Sequence, residues 1–126
     1  MSPELVVLVD ARNVQRSVWP NVSDGELVQL IEKWTACTGH RVVAVFDGRT
    51  QTGGYRSPVE VVETGGGTAD DWLAGETESL RGQGRRFWLV TSDRALRTEA
   101  GRGAERVIGG GTFVRELLAL RNSGSS

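Results

Sequence analysis

The sequence predicts an α/β fold with a central, mainly parallel sheet, and three observations support that expectation. Residues 5–9 read Leu-Val-Val-Leu-Val, apolar at every position, as a strand buried on both faces of a parallel sheet must be. Further runs rich in valine and aromatics follow at 41–46, 59–63 and 87–90. Between them lie stretches whose apolar residues recur at helical spacing. Strands alternating with helices imply right-handed crossovers and a sheet covered on both faces.

The elements follow in order. The first strand ends at Asp10, and Trp19-Pro20-Asn21 carries the chemistry of a turn. A helix is expected over 24–37, with Leu27, Leu30, Ile31 and Trp34 on its buried face and Gly39 as its stop. The second strand, 41–46, closes on Asp47-Gly48. Residues 49–57 are polar and glycine-rich and read as a mobile loop. A short strand at 59–63 leads into Gly65-Gly66-Gly67, and Thr68 then offers an N-cap to a helix opened by Asp70 and Asp71 and ending near Gly82. The fourth strand, 87–90, is followed by Thr91-Ser92-Asp93 and another helix. A fifth strand is expected within 104–108, and Phe113, Val114, Leu117 and Leu118 mark a last amphipathic helix. Residues 1–121 form one domain in this reading, and 122–126 form a disordered tail.

Composition narrows the function classes. At 126 residues the chain can bury a core without staples. One cysteine, Cys37, permits no internal disulfide. No apolar run approaches the length of a membrane span, and no basic, hydrophobic leader precedes the first strand, so a cytoplasmic protein is expected. Net charge is −1, yet Lys33 is the only lysine among 15 basic residues. Arginine suits bidentate phosphate contacts and stacking, although a GC-rich genome produces the same bias.

Function is written in the acids. In parallel sheets ligands bind beyond the carboxyl ends of the strands. Asp10, Asp47 and Asp93 each follow a strand there, and Asp70-Asp71 follow one by a loop. Asp47 has an ordinary use as a turn residue, and Asp70 and Asp93 as helix-cap residues. Asp10 is poorly explained that way. Carboxylates converging in one cleft require protonation or a cation. Oxygen donors without histidine or cysteine select Mg²⁺ or Mn²⁺, and such an ion suits phosphodiester hydrolysis. The candidate catalytic and metal-holding residues are therefore Asp10, Asp70, Asp71 and Asp93. Successive helical residues diverge by roughly 100°. One of Asp70 and Asp71 is thus expected at the metal, with the other acting through water or capping. Asn13 either bonds a scissile phosphate, orients Asp10 or forms a turn. Ser92 binds phosphate or caps. Arg12, Arg16, Arg49, Arg56, Arg94 and Arg97 are candidates for RNA backbone contacts. His40 lies at the far end of its strand and receives no role. Cys37 is expected in the core, and Trp19 either packs in the core or stacks on a base.

Several segments together resemble the YacP-like branch of the NYN domains, relatives of the PIN-type nucleases. They are Val9-Asp10-Ala11-Arg12-Asn13-Val14, Trp19-Pro20, Val45-Phe46-Asp47-Gly48, Thr68-Ala69-Asp70-Asp71, Val90-Thr91-Ser92-Asp93 and the terminal stretch 113–118. The resemblance implies a three-layer PIN-like sandwich and a metal-dependent endoribonuclease, acting on messenger RNA at the ribosome in its best-known member type. It implies an acidic site on Asp10, Asp70, Asp71 and Asp93 with Asn13 beside them. Where the family usually has Gly-Tyr between the first aspartate and the asparagine, this chain has Ala11-Arg12. The rival readings are a non-catalytic RNA-binding or ribosome-associated adaptor and a toxin-type PIN ribonuclease. A dehalogenase-type phosphatase would want an aspartate where Arg12 stands. A receiver domain would want a lysine after a late strand, and Lys33 lies in the first predicted helix. The phosphate-cradling P-loop motif is absent.

Overall fold

The computed structural model describes residues 4–50 and 59–123. The element order is β1 (Val6–Asp10), α1 (Ala11–Arg16), α2 (Asp24–Thr38), β2 (Arg41–Phe46), β3 (Val59–Glu63), α3 (Ala69–Gly82), β4 (Phe87–Val90), α4 (Arg94–Ala100), β5 (Arg106–Ile108) and α5 (Gly110–Ser123). The five strands form one sheet in the order β3-β2-β1-β4-β5, every pair parallel. The expected α/β class with a parallel sheet is the observed one.

Three layers follow from the alternation of side chains along the strands. Val7, Val9, Val42, Ala44 and Phe46 point to one face, where they meet α1, α2 and α5. Val6, Leu8, Val43, Val45 and Leu89 point to the other, against α3 and α4. All five β1 residues are buried, which is why its sequence has no polar position before Asp10. Phe46, Phe87 and Phe113 are closed off almost completely, each contributing about 1.5–3 kcal/mol by burial. The edges are polar: β3 leaves Glu60 and Glu63 exposed, and β5 is only three residues long.

Helix α2 starts at Ser23, whose side chain accepts from the Glu26 amide. It ends at Gly39, whose φ of 75° is the left-handed turn glycine allows. Helix α1 has no counterpart among the predicted elements. Six largely polar residues carry too little periodicity to reveal it, and it is held by burial of Ala11 and Val14. Helix α5 takes in Asn122 and Ser123, which the sequence assigned to a tail. Residues 51–58, including Arg56 and most of the expected mobile loop, lie outside the described residues, as do 124–126. Among the described residues no helix is long and apolar enough to cross a membrane.

Two expectations about single residues fail. Cys37 is exposed, in the last turn of α2, where residues 36–39 all stand open. Trp19 is 86% exposed, so of its two readings core packing fails.

Candidate active site

The chain builds β1, β2 and β3 outward in one direction, then returns to lay β4 against the free side of β1. Such a reversal opens a crevice at the carboxyl ends of the two adjacent strands. Asp10 is the last residue of β1, and the register pairs Val9 with Val90, so Thr91 emerges level with it. The Thr91 hydroxyl donates to Asp10 Oδ2 at 2.9 Å, and its oxygen accepts from the Asp93 amide at 3.1 Å. Thr91 is fully buried and Asp10 is 7% exposed. Asp10 stands in the capping position of α1 but makes no capping bond, so its carboxylate is not committed to the helix terminus.

Three further acids share a cavity of about 300 Å³ with Asp10, namely Asp47, Asp70 and Asp93. Each arrives by a different local device. Asp93 precedes α4, and its Oδ1 accepts from the Leu96 amide at 2.9 Å. Asp47 follows β2 by one residue, and its Oδ1 accepts from the Ala69 amide, the first of α3, at 3.0 Å. Thr68 caps α3 through the Asp71 amide at 3.1 Å, and Asp70, in the first turn, lines the cavity. Asp71 is exposed and outside that lining, on the diverging side of the helix.

The electrostatics show that these groups feel one another. Burial pushes the Asp10 carboxyl above the ordinary aspartate range. The Thr91 hydroxyl opposes that rise, the charges of Asp70 and Asp93 add to it, and Arg16 lowers it. Asp70 is also raised, first by desolvation and then by Asp93, Asp47, Asp71 and Glu99. Such a surplus of negative charge is relieved by protonation or by a cation. Among the described residues no three His, Cys, Asp or Glu side chains are close enough to hold a metal ion between them. A hard ion that keeps most of its water and takes only one or two carboxylates still fits this all-oxygen donor set. Asp10 with Asp93, joined to it through Thr91, would hold it.

The polar residues around the acids are tied to the scaffold. Asn13 lines the cavity, and its Oδ1 accepts from the Ser92 amide at 2.9 Å. Ser92 Oγ accepts in turn from the Gly110 amide at 2.8 Å. An added Cβ at Gly110 would press on Asn13 Oδ1 and stand 2.8 Å from Ser17 Oγ. Glycine is needed there to let α5 approach α1. Asn13 and Ser92 thus lock α1, the β4–α4 turn and α5 together beside Asp10.

Arg12 borders the same cavity, but its guanidinium is occupied. It bonds Asp24 Oδ1 at 2.6 Å, Gln15 Oε1 at 3.0 Å and the Asp47 and Arg49 carbonyls at 3.3 and 2.7 Å, and it stands over the Phe46 ring. Its place is that of a clamp on the loop after β2. Arg16 lines the cavity with its Nε bonded to the Arg12 carbonyl. Arg49, Arg94 and Arg97 are exposed, the last two on α4. His40 lies at the opposite sheet end, packed between Trp34 and Trp88. Thr91 and Gly110 received no role from the sequence. The signal for Thr91 was present, a hydroxyl directly after a strand, but its use depends on β4 lying beside β1.

The family model of the YacP-like NYN domain matches residues 8–124. Two crystal structures of Rae1 (YacP) from Bacillus subtilis share the fold. One is 24% identical with a TM-score of 0.74, covering 94% of this chain and 76% of that one. The other, a tryptophan-to-leucine mutant, is 26% identical with a TM-score of 0.70, covering 98% and 79%. No curated protein matches the chain.

Proposed function

The chain belongs to the YacP-like NYN domain family, whose fold is that of the PIN-like nucleases, and on that premise we propose that it is a metal-dependent endoribonuclease. The observation that carries the reading is Asp10. It is a buried carboxylate, not used as a helix cap, with its pKa raised by burial, at the head of a cavity shared with Asp47, Asp70 and Asp93. Mg²⁺ or Mn²⁺ bound there would polarise the phosphodiester and steady the leaving oxygen. Asp10 and Asp93 are kept in place by the Thr91 hydroxyl and by the cap of α4. Asp70 lines the same cavity and is more open than Asp10, and it takes the proton of the attacking water at its carboxylate oxygen. Arg16 and Arg94 meet the backbone phosphates at the rim. The substrate is single-stranded RNA, and messenger RNA at the ribosome is the target that the family resemblance suggests. A cytoplasmic site of action accompanies that substrate.

The test is cleavage of structured and single-stranded RNA with Mn²⁺ or with EDTA. Wild type cuts only with the ion. Asp10→Asn and Asp70→Asn lose about 10²–10⁴-fold in rate, while Asp71→Asn loses less. RNA binding that ignores the metal and leaves no cut product would reject the nuclease and support an adaptor.

A further inference from the structure

Trp19 is the one large apolar side chain left open among the described residues, and no element of the fold packs over it. It stands two residues beyond Ser17, the C-cap of α1, the helix whose first turn borders the acidic cavity. Beside that helix lies a second groove of about 720 Å³, lined by Gln15, Asn21, Val22 and Asp24, with Arg12 and Arg16 as walls common to both hollows. Asp24 is paired with Arg12, and Arg16, whose charge also acts on Asp10, is the exposed cation shared by groove and cavity among the described residues. Its Nε is held by the Arg12 carbonyl, which leaves the outer guanidinium edge for a phosphate. A polyanion leaving the acidic cavity therefore meets a positive wall and then a groove, and the indole stands on the turn that links α1 to the groove residues Asn21 and Val22. The six residues of α1 span roughly 9 Å, a short step along a nucleic acid chain.

We propose that Trp19 is a stacking platform for an unpaired base of single-stranded RNA whose backbone runs from the acidic cavity past Arg16. An exposed indole gains from a π-face laid on it, and every base has one, so such a contact is tolerant of sequence. Duplex RNA keeps its bases stacked on one another and offers Trp19 nothing comparable. This assignment rests on the ribonuclease reading for the direction of the strand, but its test does not require cleavage.

The experiment measures binding of a short fluorescent single-stranded RNA, and of a duplex of the same sequence, to the whole chain in EDTA. Trp19→Ala weakens single-strand binding by about 5- to 150-fold, the range for one lost stacked base. Trp19→Phe recovers most of it. Duplex binding is the same for all three proteins, and thermal midpoints agree within about 2 °C, as for an exposed side chain. Equal single-strand binding by wild type and Trp19→Ala would overturn the assignment and point to a protein partner for the indole. An equal loss on duplex RNA, or no RNA binding by wild type, would also overturn it. Trp19-dependent binding with no cleavage in Mn²⁺ would instead sink the nuclease and leave the platform standing.

Discussion

Replacing Thr91 with valine tests whether Asp10 is held as an ion by one buried hydroxyl. The side chains are nearly equal in volume, and Thr91 is fully enclosed, so packing changes little and the hydroxyl is what is lost. At neutral pH that hydroxyl donates to a carboxylate at 2.9 Å, a charge-assisted bond of about 1.5–3 kcal/mol. The Asp93 amide loses its acceptor as well. Once Asp10 is protonated, the bond to Thr91 is a neutral one, of about 0.5–1.5 kcal/mol. The sign of the pH effect follows. Asp10 in the folded chain already holds its proton above the ordinary aspartate range, so its ionisation costs stability as pH rises through that folded value. Thr91 offsets part of the cost, and without it the folded value rises further.

Thr91→Val should therefore lose about 2–3 kcal/mol at pH 7.5 in EDTA, and about 1 kcal/mol less at pH 4. For a domain of this size the larger loss lowers the melting midpoint by roughly 6–12 °C. Denaturant melts at the two pH values measure both numbers, with a slope that should not change between proteins. Thr91→Ser keeps the hydroxyl and loses a methyl group, about 1 kcal/mol at either pH. A loss for valine that is the same at both pH values, or a serine variant with valine's pH dependence, would show that the hydroxyl does not stabilise the ionised carboxylate.

Three shorter predictions concern Asp10, Gly110 and Arg12. Asp10→Asn removes the cost of ionising a buried acid, so in EDTA it melts higher than wild type at pH 7.5 and loses that advantage toward pH 4; added Mg²⁺ raises wild type more than the variant, as calorimetry would show. Gly110→Ala forces a Cβ against Asn13 and Ser17 and should cost about 1–3 kcal/mol, with RNA cleavage falling as Asn13 is displaced; an unchanged melt would mean that α5 can retreat freely. Arg12→Lys cannot span Asp24, the Asp47 carbonyl and the Arg49 carbonyl at once, so it should destabilise nearly as much as Arg12→Ala, about 1–3 kcal/mol by chemical denaturation.

The pattern of what the sequence discloses follows from the range of each interaction. Strand β3 is legible to the residue, and α2 to within one, because apolar spacing and caps are local signals. Asp10 stands out because an acid closing a wholly apolar strand has no local use, and the structure gives it none. Asp70 and Asp71 are adjacent, so no sequence pattern says which one turns toward the cavity; the seating of α3 on the sheet puts Asp70 in its lining. Arg12 is the residue whose bonding the sequence discloses least. In the sequence it is a charge beside an active-site motif, and only its partners, 12 to 37 residues away, make it a clamp. The core reading of Trp19 fails: hydrophobicity argued for burial, but a residue between a six-residue helix and Pro20 has no element to pack it. Thr91 is decisive. Its hydroxyl matters only because β4 skips β3 and β2 to lie beside β1, an adjacency set by the whole chain. The acids declare the chemistry locally, whereas the groups that tune them are recruited by topology, and substitutions at Thr91 and Gly110 probe that second layer without touching a carboxylate.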